Sequence, residues 1–438
     1  MRTILYLKSK KNIVRFSILA LTISCITYSC KKNTKVVEAT PRMCVDNIDN
    51  QKIIDINNFT YNIANKHDQF KTFTGVRALA LVHLSIHDIF NVIEPKYETY
   101  HYKEISEVCE PIAAAIESTR VILTNIYPNK KDTIIKVCNE WLSSIKDDEE
   151  KAKSVYLGRS VANSYLKLRK NDGYDRQGEY TPMTKPGNYQ YTPGFFWVWK
   201  PDFSAVKTFT LDSLSQFRSP EPPPIDSEEY AKSYNEVKEY GVKESKVRSE
   251  DQTSIAHWWS EFGEHSWNRI GRITAAEKKL SIVETNRMFA LINMNLYDLY
   301  LASFDSKYFY DTWRPYTAIL EGENDNNPNT QGDKKWEPEM QTLPWPEYPS
   351  AHAAVGAAGA EIMSSIYGTN NVSFTMKSTA ALPNFEEKHY DDLEKADEDC
   401  AESRIMNGFH FRFSTDEGRI QGKNVAKHTI ENFLKPLK

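Results

Sequence analysis

Pro349-Ser350-Ala351-His352-Ala353-Ala354-Val355-Gly356-Ala357-Ala358-Gly359-Ala360-Glu361-Ile362 is built almost wholly of small side chains, and it predicts a helix that neighbouring helices can approach closely. Ser350 is a natural N-cap, because its hydroxyl can accept from a first-turn amide. Gly368 is a natural stop, because glycine turns left-handed at a helix end without strain. The open amides of such a helix start, together with the dipole, attract an anion. His352 in the first turn would reach the same anion and could donate or accept a proton near neutral pH. Taken alone, the stretch is equally an ordinary capped helix with an incidental histidine.

Two further stretches change its meaning. Upstream lies Lys307-Tyr308-Phe309-Tyr310-Asp311-Thr312-Trp313-Arg314-Pro315. On an unbroken helix, seven steps of about 100° return to within about 20° of one face, so Lys307 and Arg314 are expected to be stacked. Two stacked cations repel unless both point at one multivalent anion. A guanidinium fork beside an ammonium point charge suits a phosphate-like tetrahedron. Downstream lies Ser403-Arg404-Ile405-Met406-Asn407-Gly408-Phe409-His410. Gly408 is expected to end the helix carrying Arg404, which leaves His410 on the following turn. Ser414-Thr415-Asp416-Glu417 reads as a capping box opening a last helix from Thr415 to Leu434.

The order Lys-x6-Arg-Pro, Pro-Ser-x-His, Ser-Arg-x5-His resembles the signature of the superfamily of vanadium-dependent haloperoxidases and type 2 phosphatidic acid phosphatases. Its core runs from Lys307 to His410. A looser similarity, to the N-terminal helices of bacterial haloperoxidase-type members, involves Arg77-Ala-Leu-Ala-Leu-Val-His-Leu-Ser-Ile-His-Asp88 and Gly158-Arg-Ser-Val-Ala162, and extends the resemblance over residues 70–434. It implies that Lys307, Arg314 and Arg404 bind equatorial oxygens of vanadate or phosphate. Ser350 and the Ala351 amide would add hydrogen bonds. His410 would be the axial ligand of vanadium or the nucleophile that accepts a phosphoryl group, and His352 the acid/base partner. Vanadate copies the geometry of a phosphoryl-transfer transition state, so one pocket serves either chemistry. The chain departs from the usual pattern twice: Ala351 stands in place of Gly, and Ser414 where many members have an Asp that orients the histidine.

The rest of the chain sets the frame. Its 438 residues carry 55 basic and 59 acidic side chains, a net charge of −4, which gives no basic face for nucleic acid. Long stretches free of Gly and Pro predict a mainly α protein, and the resemblance implies a helical bundle or bundles of the vanadium haloperoxidase and acid phosphatase type. Helices are expected over residues 72–92, 110–127, 134–145 and 149–168, and residues 60–173 form the N-terminal helical part. Residues 174–226 are an irregular insertion rich in aromatics and Pro, suited to a lid, a pocket wall or surface padding. In the catalytic half, 227–438, Thr274-Ala-Ala-Glu277 reads as a capping box opening a helix that runs to Ala302. His83 and His87, four apart, are read as structural, and His257 and His265, set among tryptophans, as core packing before pocket lining.

Residues 1–30 resemble a bacterial lipoprotein signal: Lys8, Lys10, Lys11 and Arg15, then an apolar run from Phe16 to Ile26, then Cys30 as the lipid acceptor ahead of the competing Cys25, with ordinary secretion or an uncleaved anchor as the alternatives. Residues 31–47 read as a tether to a domain over 48–438, and no later segment has 18 consecutive apolar residues. The expected place is the cell envelope, with contact to a membrane only through the lipid. Cys44, Cys109, Cys138 and Cys400 allow three disulfide pairings, and none has zinc-site spacing.

The leading expectation is a haloperoxidase-type enzyme using vanadate, with hydrogen peroxide and halide as reactants. The alternative is an envelope phosphatase, without cofactor, that takes phosphate esters through a phosphohistidine. The third is a non-catalytic surface lipoprotein. The length of the chain, its N-terminal resemblance and Trp313 beside Arg314, expected to cover the anion, favour the first.

Overall fold

In chain order the computed structural model has α1 (Gln51–Asp68), α2 (Thr74–Ile93), α3 (Pro111–Ile126), α4 (Lys131–Ser143), α5 (Glu149–Leu168), α6 (Glu228–Tyr240), α7 (Glu250–Trp258), α8 (Gly263–Glu277), α9 (Ile282–Tyr310), α10 (Pro315–Leu320) and α11 (Ala351–Tyr367). A small antiparallel hairpin, β1 (Phe374–Lys377) with β2 (Glu387–Tyr390), precedes α12 (Leu393–Met406) and α13 (Arg412–Asn432). The structure describes residues 45 and 47–438, without 70–72, 109, 177 and 204–205. The expected signal segment with Cys30, almost all of the tether, Cys44 and Cys109 lie outside the described residues. Cys138 and Cys400 are buried free thiols, so they do not bridge each other.

The centre of the bundle is α9. Its 29 residues have no single apolar face, and almost all of them, Asn286, Asn293, Asn295 and Asp298 included, are buried, the pattern of a helix enclosed by others. It packs on α2 and α11, with α1, α8 and α13 completing the shell. Among the described residues α2 alone is long and apolar enough to cross a membrane, yet 94% of its most apolar window is covered by the fold. The small residues predicted after Ser350 let the neighbours come close. A side chain added at Gly359 would lie 2.2 Å from the Trp267 ring of α8. Added at Gly418 or Gly422 of α13, it would lie 2.4 or 2.1 Å from the carbonyl oxygens of Ser350 and Ala354. This contact fixes the start of α11 against the start of α13, the two elements that flank the site.

A buried polar chain crosses the core. Asn57 Nδ2 donates to Asn268 Oδ1 at 2.8 Å and lies 3.0 Å from His83 Nε2, and His83 Nδ1 lies 2.9 Å from Asn286 Oδ1. His87 lies 3.1 Å from the Glu98 carbonyl. Both histidines are structural and belong to no metal cluster among the described residues. Burial lowers the pKa of each to about 4. The unfolded chain therefore takes up a proton as pH falls through 6.5 while folded His83 does not, and stability present above that pH is lost on the way down to about 4. Between about pH 7 and about pH 4.5, urea denaturation should show wild type losing about 2–3 kcal/mol more than His83→Gln. Equal losses would remove His83 from the acid response.

The described residues of 174–226 hold no helix beyond the short turn Leu214–Phe217 and run over the C-terminal end of α9. Asp298 of α9 accepts from the amides of Phe209, Thr210 and Leu211. Tyr189 N donates to Asp311 O at 2.7 Å, and Trp313 N to Gly187 O at 2.9 Å. The insertion is thus stitched to the segment that leads into Arg314, while Phe196 and Trp197 remain exposed.

Three local readings are corrected. Thr274 and Glu277 close α8 instead of opening a helix: Thr274 Oγ1 donates back to Ile270 O, and the cap of α9 is Ser281 with Glu284. Lys307 and Arg314 do not share a helix, because α9 stops at Tyr310 and Asp311 turns left-handed at φ 52°. Ser414 caps nothing: α13 begins two residues earlier, at Arg412. In the first and third cases the Ser/Thr-x-x-Glu spacing lies inside a helix, where the preceding turn already satisfies the amides.

Candidate oxyanion site

Four short backbone segments build one enclosed cage. After Asp311 the chain is extended, and Arg314 stays extended at ψ 155° because the residue before a proline is pushed out of the helical region. Pro315 then opens α10. The segment Trp345–Ser350 lies alongside: Glu347 N donates to Thr312 O at 2.9 Å, and Tyr348 N to Thr312 Oγ1 at 3.0 Å. Ser350 caps α11, accepting from Ala353 N at 3.4 Å, and its own amide donates to Ser414 O at 3.0 Å. The helical ladder starts with Ala354 donating to Ser350 O, so the Ala351 and His352 amides precede it. Ala351 is helical, so the departure from glycine leaves that amide in place. At the fourth segment Gly408, at φ 81°, ends α12, and His410 N donates back to Arg404 O at 3.1 Å.

The side chains converge. Lys307, Arg314, Glu347 and Ser350 are fully buried, Arg404 is 2% exposed and His410 4%, while Ala351 and His352 at the start of α11 are partly exposed. Lys307 Nζ donates to the carbonyls of Glu347 at 2.6 Å and Pro346 at 3.2 Å. Arg314 Nε donates to Trp345 O at 2.8 Å, and its Nη1 to Phe409 O at 3.0 Å and to His410 Nε2 at 3.2 Å. Arg404 Nη2 donates to Trp259 O at 2.8 Å, and Nε to Ser403 Oγ at 2.9 Å. Burial holds the Lys307 ammonium well below its usual range, with Arg314 as the next cause, and brings Arg314 and Arg404 down to about 10. Burial, then Arg314, Lys307, Arg404 and His352 in turn, holds His410 well below the ordinary imidazole range, so all four groups lie within electrostatic reach of it.

His410 has one possible hydrogen-bonding state in this geometry. A guanidinium only donates, so Nε2 facing Arg314 Nη1 carries the lone pair. The proton is then on Nδ1, which donates to Glu347 Oε1 at 2.7 Å. Glu347 Oε1 also accepts from Phe411 N at 3.1 Å, and burial raises its carboxyl to about 7 against the pull of Lys307 and Arg314. The reading from sequence assigned no role to Glu347. Its only local signal was a carboxylate three residues before the cap, in the aromatic run Trp345-Pro346-Glu347-Tyr348.

Two other expectations shift. Trp313 does not cover the anion site, since its ring packs with Tyr230, to whose hydroxyl Nε1 donates at 3.1 Å; Trp345 is the ring beside the Arg314 guanidinium, at 5.8 Å. The His352 ring is partly buried, its Nε2 lies 2.8 Å from the Glu261 carbonyl, and burial followed by Arg404 lowers it to about 3. His352 thus has one N–H committed to the main chain. His257 lies 3.0 Å from Glu339, outside the cage, and His265 packs edge-on against Tyr61.

Three buried cations against one carboxylate leave an excess of positive charge, which a low-dielectric interior does not tolerate without a counter-ion. Arg314 Nη2 is buried with no partner, an orphan donor in the wall of the cage. The donor set, one lone-pair nitrogen and several cationic N–H groups, fits vanadate or a phosphoryl group.

Residues 287–438 match the VCPO second helical-bundle domain. No curated protein matches the sequence. Among solved structures, the first bacterial vanadium-dependent iodoperoxidase is similar at 22% identity and a TM-score of 0.74, over 89% of this chain and 98% of that one. An apo-type bacterial vanadium-dependent chloroperoxidase is similar at 14% identity and 0.68, over 83% and 93%. A holo-type bacterial vanadium-dependent chloroperoxidase is similar at 15% and 0.65, over 86% and 92%. The fold of this chain is therefore that of the bacterial vanadium-dependent haloperoxidases.

Proposed function

We propose that this chain, which carries the fold of the vanadium-dependent haloperoxidases over most of its length, is a vanadate-dependent haloperoxidase-type enzyme that uses hydrogen peroxide to oxidise halide. One observation carries the reading: a buried cage in which the His410 Nε2 lone pair, three cations and the orphan Arg314 Nη2 donor meet. Lys307, Arg314 and Arg404 would hold the oxygens of vanadate, Ser350 and the Ala351 amide would add neutral donors, and His410 Nε2 would be the protein ligand. Bound vanadate supplies the Lewis acid that activates peroxide towards halide. The protein's part is to neutralise the oxygens, fix the orientation of His410 and keep water out. The same groups would suit a phosphohistidine phosphatase. Burial of the cage favours peroxide and halide, which are small, over an ester with a bulky leaving group.

The test is a pair of assays on the purified protein. Halogenation of a phenolic dye by peroxide with bromide or iodide should require added vanadate and be suppressed by phosphate. Hydrolysis of a chromogenic phosphate ester, inhibited by vanadate and unaccompanied by halogenation, would replace this reading with the phosphatase. We also propose a place in the bacterial cell envelope, anchored by lipid at Cys30, on the strength of the signal pattern at residues 1–30. Incorporation of labelled fatty acid, lost in Cys30→Ala, checks it.

A further inference from the structure

We infer that Glu347 is the positioning residue of the site: its carboxylate holds His410 as the Nδ1–H tautomer, with the Nε2 lone pair presented to the bound oxyanion. The inference rests on the proposed use of vanadate. Two groups face His410 Nδ1. Glu347 Oε1 is 2.7 Å away, and Ser414 Oγ is 3.4 Å away. A hydroxyl can donate or accept, so Ser414 would tolerate either tautomer. Glu347 Oε1 already accepts from Phe411 N, so it faces Nδ1 as an acceptor and selects one. Its own position is over-determined. Oε1 is held by Phe411 N, the main-chain amide by Thr312 O, and the main-chain carbonyl by Lys307 Nζ. One residue thus ties the imidazole to the segment before Arg314 and to the ammonium of Lys307. A carboxylate behind a ligating imidazole also strengthens the nitrogen on its far side as a donor to the metal.

This role has a signature that loss of packing does not share. Glu347→Gln keeps the shape and an acceptor for Nδ1, but removes the negative charge that strengthens Nε2 as a donor and that lies beside an anion site. Electrostatics alone then predicts tighter binding of every anion, and structural damage predicts weaker binding of every anion. A positioning role predicts opposite signs for two anions: vanadate, which takes a bond from His410, and phosphate, which binds as a free tetrahedral ion without one.

Equilibrium titration calorimetry of the full chain with vanadate and separately with inorganic phosphate reads both. In Glu347→Gln, vanadate affinity should fall by about 10–100-fold, while phosphate affinity holds or rises. Glu347→Gln/Ser414→Asp, which places a carboxylate on the other neighbour of Nδ1, should recover most of the vanadate affinity without improving that for phosphate. If the single variant does not fold, Glu347→Asp carries the comparison, since it keeps the charge but withdraws the carboxylate from Nδ1. Parallel changes for the two anions, or vanadate binding equal to wild type, overturn the inference and leave the proposed function standing. Wild type that binds phosphate and not vanadate overturns the proposed function instead.

Discussion

Replacing His410 with alanine should lower vanadate-dependent halide oxidation by more than the roughly 100-fold upper range seen when only a supporting partner of a ligand is lost. The reason is the placement of its lone pair. Lys307, Arg314 and Arg404 donate, and His410 Nε2 is the imidazole nitrogen that faces them, 3.2 Å from Arg314 Nη1. Alanine at 410 leaves the three cations in place, so phosphate should still bind within a few-fold of wild type while turnover vanishes. It also frees Arg314 Nη1 from its 3.2 Å contact with the imidazole, so the cation cage gains a donor as it loses the ligand. Purified His410→Ala assayed beside wild type for halogenation, with phosphate titration and thermal melting as controls, decides the matter. Halogenation above a tenth of the wild-type rate would show that the imidazole is not the ligand.

How far the sequence carried this picture depends on how local each feature is. The helix from Ser350 to Gly368 was legible because cap, small face and stop all lie within one element, and α11 follows it closely. The end of α12 at Gly408 was legible for the same reason. The stacked pair Lys307 and Arg314 was misplaced, although the two lie within electrostatic reach of each other. Spacing on a helix was the wrong cause, and Pro315 carried the warning, since it forbids a helical Arg314. Two Ser/Thr-x-x-Glu patterns, at 274 and 414, fell inside helices, whereas Ser249 with Gln252 forms the reciprocal box that opens α7. The pattern states which residues can cap a helix and is silent on where tertiary packing starts one.

Glu347 shows the other limit. It lies 63 residues from His410 in the chain, and the two come together because Trp345–Ser350 pairs with the segment around Thr312 and the Ser350 amide donates to Ser414 O. The sequence presented a vacancy, Ser414 where an orienting carboxylate was expected, without showing that a carboxylate from another segment fills it. Long-range contacts of this kind depend on register between loops, which periodicity does not encode. Trp313 and Trp345 make the same point: neighbours of Arg314 by sequence and by space are different residues.

Arg314→Lys should cost about 10²–10³-fold in turnover, the range for removal of one fixed donor from an oxyanion site, although it conserves charge. Arg314 points its donors in separate directions: Nε to Trp345 O at 2.8 Å, Nη1 to Phe409 O at 3.0 Å and to His410 Nε2 at 3.2 Å, and Nη2 into the cage without a partner. One ammonium cannot occupy all three nitrogen positions. A lysine that reaches the anion abandons the carbonyls that hold the Trp345 and Phe409 segments, and one that holds a carbonyl abandons the anion. Either choice separates positioning from charge. Because the net charge is unchanged, the dependence of anion binding on ionic strength should stay close to wild type while the rate collapses. Rates for wild type and Arg314→Lys at two salt concentrations, with a thermal melt to show that the variant folds, test this. Turnover within threefold of wild type would mean that Arg314 acts as a charge alone and that the orphan Nη2 is not a donor to the reacting group.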